Sequence, residues 1–100
     1  MRLTRDHIDA ILEEVDRVLG PGASIWLYGS RLQDHLRGGD VDLMLDVAEK
    51  PSMRDLAVLR DRLEERLGLP CDLLVRVRSE SPTAFMQMVA AQAVRLEAAA

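Results

Sequence analysis

Aromatic residues are almost missing from this chain: one Trp, one Tyr and one Phe among 100 residues. Its core must therefore be packed by Leu, Val, Ala and Met, which fill irregular space adaptably. A single cysteine, Cys71, excludes an internal disulfide and suits a reducing, cytoplasmic setting. No block of basic residues and no basic stripe interleaved with aromatics occurs, so no nucleic-acid surface is expected. No apolar run approaches membrane-spanning length. The N-terminus, MRLTRDHID, mixes both charge signs and lacks an apolar stretch, so a secretory signal is not expected either. His7 and His35 stand alone, without the spacing of zinc ligands.

What remains is the composition of one folded domain, residues 1–100. The hydrophobic share is 48%, enough for a core, and the net charge is −4 with acidic and basic residues interspersed. Thr4 is placed to cap a helix whose Ile8, Ile11, Leu12, Val15, Val18 and Leu19 recur at helical spacing, with Asp9, Glu13, Asp16 and Arg17 outside. Gly20-Pro21-Gly22 ends it. Ser52 and Asp55 form a capping box before Leu56, Leu59, Leu63 and Leu67, and Gly68 and Pro70 stop that helix. Cys71 to Val77 reads as a strand, with Cys71 on the core side. Ser81-Pro82 reads as the cap of a last helix from Thr83 to about Leu96, and Ala98 to Ala100 as a frayed tail. Phe85, Met86, Met88 and Val89 give this helix more apolar surface than one core face needs, so it serves either as an interface or as a terminal helix folded back onto the sheet.

The organising stretch is Ser24 to Asp46, SIWLYGSRLQDHLRGGDVDLMLD. Ser24-Ile25-Trp26-Leu27-Tyr28 is a short strand, and Gly29-Ser30 turns from it into a short helix. A Gly-Ser pair at a helix mouth offers free backbone N–H groups, the helix dipole and a small hydroxyl to an anion. After the polar loop with Gly38-Gly39, Val41, Leu43 and Leu45 alternate with Asp40, Asp42, Met44 and Asp46. One face of this second strand is therefore core, and the other projects Asp40 and Asp42 together. Two such carboxylates repel each other and hold a proton between them unless a cation sits there. Hard oxygen ligands beside a phosphate site favour Mg²⁺, the arrangement needed for metal-assisted phosphoryl or nucleotidyl transfer. Asp46 reads as a surface residue at the strand end, and Trp26 and Tyr28 as packing around the first strand.

Tyr28-Gly29-Ser30-Arg31, a spacer of about ten residues, and Asp40-Val41-Asp42-Leu43 together resemble the signature of the nucleotidyltransferase superfamily that contains DNA polymerase beta. Asp72 in Cys71-Asp72-Leu73-Leu74-Val75 fits the third carboxylate of that family. In length the chain is similar to its minimal nucleotidyltransferase (MNT) branch. The resemblance implies an α+β fold: a small mixed three-stranded sheet packed with about four helices, in the order α-β-α-β-α-β-α. It implies Asp40, Asp42 and Asp72 as catalytic metal ligands for Mg²⁺, with Asp72 helping to activate the attacking hydroxyl. Gly29, Ser30 and Arg31 are implied as nucleotide-binding residues. Arg31 either steadies phosphate charge or pairs with a carboxylate of its own chain. Gly39 departs from the pattern, because family members often carry Ser before the first aspartate.

The same resemblance implies transfer of AMP from ATP to a hydroxyl, most simply a tyrosine of a small helical HEPN-type toxin for which the MNT protein is the antitoxin. Absence of an acceptor domain and the spare apolar surface of the last helix fit a protein partner or a homo-oligomer. Two other readings stay open at the level of sequence. One is a binding module that silences its partner by contact alone. The other is a small-molecule nucleotidyltransferase of the aminoglycoside type.

Overall fold

The computed structural model describes residues 3–29 and 40–99. Its elements run α1 (Arg5–Leu19), β1 (Ser24–Tyr28), β2 (Val41–Val47), α2 (Met53–Leu67), β3 (Cys71–Val77), α3 (Ala84–Gln92) and β4 (Val94–Leu96). The helix expected after Gly29-Ser30 lies outside the described residues.

Both long helices begin where the sequence supplies a hydroxyl. The Thr4 hydroxyl accepts from the His7 backbone N–H at 3.1 Å, and His7 Nδ1 accepts in return from the Thr4 N–H at 3.3 Å. His7 thus closes a helix cap. Ser52 accepts from the Asp55 N–H at 3.0 Å to start α2. At its other end Gly68 takes the left-handed conformation, φ 68° and ψ 21°, which stops the helix at little steric cost.

The sheet is mixed and has the order β3-β2-β1-β4. β1 and β2 pair antiparallel with Tyr28 opposite Asp42, Trp26 opposite Met44 and Ser24 opposite Asp46. β2 and β3 run parallel with Asp42 beside Asp72, Met44 beside Leu74 and Asp46 beside Arg76. Because strand side chains alternate, the odd-numbered residues of all three strands share one face. There Ile25, Leu27, Val41, Leu43, Leu45 and Val47 pack with Ala10, Ile11 and Val15 of α1 and Leu59, Leu63 and Leu67 of α2. α3 lies over the opposite face, where Met86, Gln87 and Ala90 line a cavity together with Trp26 and Met44.

Two boundaries differ from those the sequence suggests. The last helix is capped by Thr83, whose hydroxyl accepts from the Met86 N–H at 3.1 Å, rather than by Ser81. It also ends at Gln92 instead of running to Leu96, and Val94–Leu96 becomes a fourth strand on the open edge of β1. A free edge of unpaired N–H and C=O groups recruits three alternating residues, a stretch too short to read as a strand by itself. The expected three-stranded sheet therefore has four strands.

Beneath the sheet, one carboxylate among the described residues stands inside the core. Glu14 on α1 is 1% exposed and accepts from Arg62 Nε at 2.6 Å and Arg66 Nη1 at 3.4 Å, both from α2. Arg66 also reaches Glu13 at 2.8 Å, so the α1–α2 seam is stitched by charge as well as by leucine.

Candidate active site

Three side chains from three strands meet in one row across the face opposite the main core. Tyr28 ends β1, Asp42 lies near the start of β2, and Asp72 near the start of β3. The register alone sets them side by side, since directly paired residues of neighbouring strands bring their Cβ atoms within about 5 Å. Asp40 precedes β2 and is exposed.

Electrostatics show how tightly the row is drawn. Burial pushes the Asp42 carboxyl above the ordinary carboxylate range, and the charges of Asp72 and then Asp40 push it in the same direction. The Asp72 carboxylate stands directly beside Asp42 in the parallel register, so the two like charges disfavour each other's ionised form. The Tyr28 phenol is raised as well, by burial first and then by the charges of Asp42 and Asp72. Its ring meets Phe85 of α3 edge-on, with centroids 6.4 Å apart.

Gly29 completes the described part of this arrangement. Its φ is +80°, and a Cβ placed there would overlap the Asp42 Oδ2 atom and stand 3.1 Å from its Cγ. Only a residue without a side chain leaves the Asp42 carboxylate its position. The sequence motif and the geometry thus coincide at Gly29. Ser30 and Arg31, together with His35 and Gly39, lie outside the described residues.

The aspartates offer a set of hard oxygen donors held too close for all to remain charged alone, which fits a divalent cation such as Mg²⁺. Among the described residues, no group of three or more His, Cys, Asp or Glu side chains is placed so as to hold a metal ion. The convergence is that of the pair Asp42–Asp72, with Asp40 at its edge.

Other residues near this face do different work. Asp46, expected at the surface, accepts from Arg78 Nε at 2.7 Å and lies 3.6 Å from Arg76 Nη1. Arg78 also donates to the Gly22 carbonyl at 2.7 Å, tying the far end of β2 to the α1–β1 turn. Cys71, one residue before Asp72, points into the core at 1% exposure, and burial followed by the nearby Glu64 carboxylate raises its thiol to about 11. It is a packing residue. A cavity of about 430 Å³ between the end of α1 and the start of α2 includes none of the three aspartates.

Comparison with known proteins agrees with this geometry. Residues 8–94 match the family model described as a nucleotidyltransferase domain. No curated protein matches by sequence. Among solved structures, the chain superposes on one from a tri-AMPylated Shewanella oneidensis HEPN toxin in complex with MNT antitoxin, with a TM-score of 0.71 and 20% identity. That match covers 93% of this chain and 71% of the other. A toxin–antitoxin structure with AMP-PNP gives a TM-score of 0.74 at 21% identity, covering 92% and 73% of the two chains. A variant of the MntA toxin–antitoxin pair with two aspartates changed to glutamate gives 0.75 at 21% identity, covering 97% and 75%. At these identities the likeness is one of fold. Among the described residues, no helix is long and apolar enough to cross a membrane.

Proposed function

The chain belongs to the nucleotidyltransferase-domain family, and from that premise we propose that it moves AMP from ATP onto a hydroxyl of a partner protein, a tyrosine of a HEPN-type toxin. The observation that carries this reading is the Asp42–Asp72 pair, set against the bare backbone of Gly29. The solved structures of similar fold support the partner class, because they are toxin–antitoxin complexes and one holds an AMPylated HEPN toxin. Exposed Phe85, Met88 and Val94 provide an apolar patch of the kind that protein partners cover.

In this reading Asp40, Asp42 and Asp72 hold Mg²⁺. Held by these carboxylates, a divalent cation would offset the charge that develops in an in-line displacement. Gly29 admits the triphosphate close to the backbone, Ser30 donates to a phosphate oxygen, and Arg31 offsets phosphate charge. The acceptor oxygen forms a bond to the α-phosphorus as the bond to the β-phosphate bridging oxygen breaks, and pyrophosphate leaves. Asp72, on the exposed side of the pair, takes the proton of the attacking hydroxyl.

Intact-mass spectrometry of a cognate HEPN partner, incubated with this chain, ATP and Mg²⁺, tests the proposal. AMP-sized additions that disappear when Asp40→Asn and Asp42→Asn are combined are the expected result. A partner that is bound and silenced without any mass change would overturn transfer in favour of neutralisation by contact.

A further inference from the structure

The face that carries the aspartates continues beyond them into a cavity. Two residues on from Asp42 in β2 is Met44, and two residues back from Tyr28 in β1 is Trp26. With Asp46, Arg76, Pro82, Met86, Gln87 and Ala90 they line a space of about 230 Å³ between the sheet and α3. A two-residue step along a strand is about 7 Å, a length that a ribose spans between the α-phosphate of a nucleotide and its base.

The lining has the composition of a base-binding slot. Trp26, Met44, Met86, Pro82 and Ala90 supply apolar and polarisable walls. Arg76 pairs with Asp46 at 3.6 Å, four residues along the strands from the Asp42–Asp72 pair, at the end of the cavity away from it. Gln87 is exposed, and its amide makes only a long 3.5 Å contact with the Pro82 carbonyl, which leaves a donor and an acceptor free. A glutamine amide matches the donor–acceptor edge of adenine, whereas guanine is the base that arginine reads. Trp26 adds an independent sign: its Nε1 is the one buried side-chain nitrogen or oxygen among the described residues without a hydrogen-bond partner. A buried donor left unpaired costs about 1–3 kcal/mol, so the indole N–H calls for an acceptor in the cavity, which water, an ion or a ligand can supply.

We propose that this cavity receives the base of the bound nucleotide, adenine in preference to guanine, with Gln87 reading its edge. The inference rests on the nucleotidyltransferase reading of the neighbouring aspartates and adds to it the site of base selection.

Trp26 is the only tryptophan of the chain, so its emission reports this cavity alone. The full chain with Mg²⁺ is titrated with ATP, GTP and inorganic tripolyphosphate, following both Trp26 emission and heat of binding. Saturable emission change is expected with ATP, together with weaker binding of GTP. Tripolyphosphate should bind with heat but leave the emission unmoved. Ala90→Leu, which fills the cavity from a helix position, should weaken ATP by roughly tenfold or more and leave tripolyphosphate unaffected. Gln87→Ala should erase the preference for ATP over GTP. If ATP binds by calorimetry while Trp26 is silent and Ala90→Leu has no effect, the base lies elsewhere and the proposal fails with the nucleotidyltransferase reading intact. If neither ATP nor tripolyphosphate binds, both fail together.

Discussion

Glu14 offers the sharpest test of how this fold is held. It is a carboxylate at 1% exposure, and it is tolerated there only because Arg62 and Arg66 reach it from α2 at 2.6 and 3.4 Å. The Arg62 hydrogen bond holds its pKa below the ordinary value of 4.5, against the opposing effect of burial. Replacing the charge with a neutral amide, Glu14→Gln, keeps the volume and leaves the arginines free to turn toward water, since their side chains are 41% and 40% exposed. The loss is then that of charge-assisted hydrogen bonds, about 1.5–3 kcal/mol. For a domain of this size that lowers Tm by about 4–8 °C per kcal/mol. Arg62→Met should cost more than Glu14→Gln, because it strands the buried carboxylate with its longer contact. Combining Glu14→Met with Arg62→Met should recover much of that loss, since no buried charge remains to be solvated.

The pH dependence of the same group has a definite sign. A carboxyl whose folded pKa is depressed stabilises the protein above its unfolded value, here 4.5, and this contribution is lost as pH falls through the lower folded value. Urea unfolding across the acid range should therefore show a fall in stability that Glu14→Gln flattens. Equal urea midpoints for the wild type and Glu14→Gln, or an acid limb of unchanged slope, would refute the reasoning. So would an Arg62→Met variant more stable than Glu14→Gln.

The site yields two further expectations. Asp42→Asn removes a like charge directly beside Asp72, so the metal-free variant should gain about 0.2–1 kcal/mol at neutral pH while transfer is lost. The raised carboxyl of Asp42 contributes stability below its unfolded value of 3.8 and loses it as pH rises through the folded value. Thermal melts of the variant should accordingly be flatter in pH over that range, and less sensitive to Mg²⁺ than those of the wild type. Gly29→Ala places a methyl group on the Asp42 carboxylate in a backbone of φ +80°. It should cut AMP transfer by at least about tenfold and lower stability by more than about 1 kcal/mol, measured by partner mass shift and chemical denaturation. A fully active Gly29→Ala protein would mean that Asp42 need not occupy its observed position.

Much of this was legible in sequence because it depends on local rules. Strand alternation placed Val41, Leu43 and Leu45 inward and Asp42 outward, and Gly20 and Gly68 marked the two helix ends. The strands Ser24–Tyr28 and Cys71–Val77 have the boundaries the sequence suggests. What escaped depends on tertiary partners. Val94–Leu96 becomes a strand because β1 has an open edge, a fact foreign to its own three residues. Glu14 sits between Ile11 and Val18 on the apolar stripe of α1, a position that signals burial, yet its arginines lie 48 and 52 residues away. Asp46 lies near the strand end as the sequence suggests, but its partner Arg78 is 32 positions distant and was not legible from its neighbours. Trp26 was readable as packing, but its lack of a hydrogen-bond partner appears only in three dimensions.

The two faces of the sheet obey different physics, and the contrast bears on function. Toward α1 and α2 every element agrees: leucines interlock, helices are capped, and the buried carboxylate of Glu14 is fully paired. Toward α3 the agreement breaks down within a few residues. Asp42 and Asp72 repel each other, Gly29 adopts a left-handed conformation to make room for one of them, and Trp26 buries an unpaired N–H beside an incompletely filled cavity. Each of these lowers the stability of the protein standing alone, and all lie on one surface along neighbouring strands. Departures from local consistency that cluster in this way mark the place where a sequence is committed to a ligand rather than to its own core. A cation between the carboxylates and a base in the cavity would answer the repulsion and the void together. That single occupant, a metal-bound nucleotide, is the simplest cause of a sheet stable on one side and frustrated on the other.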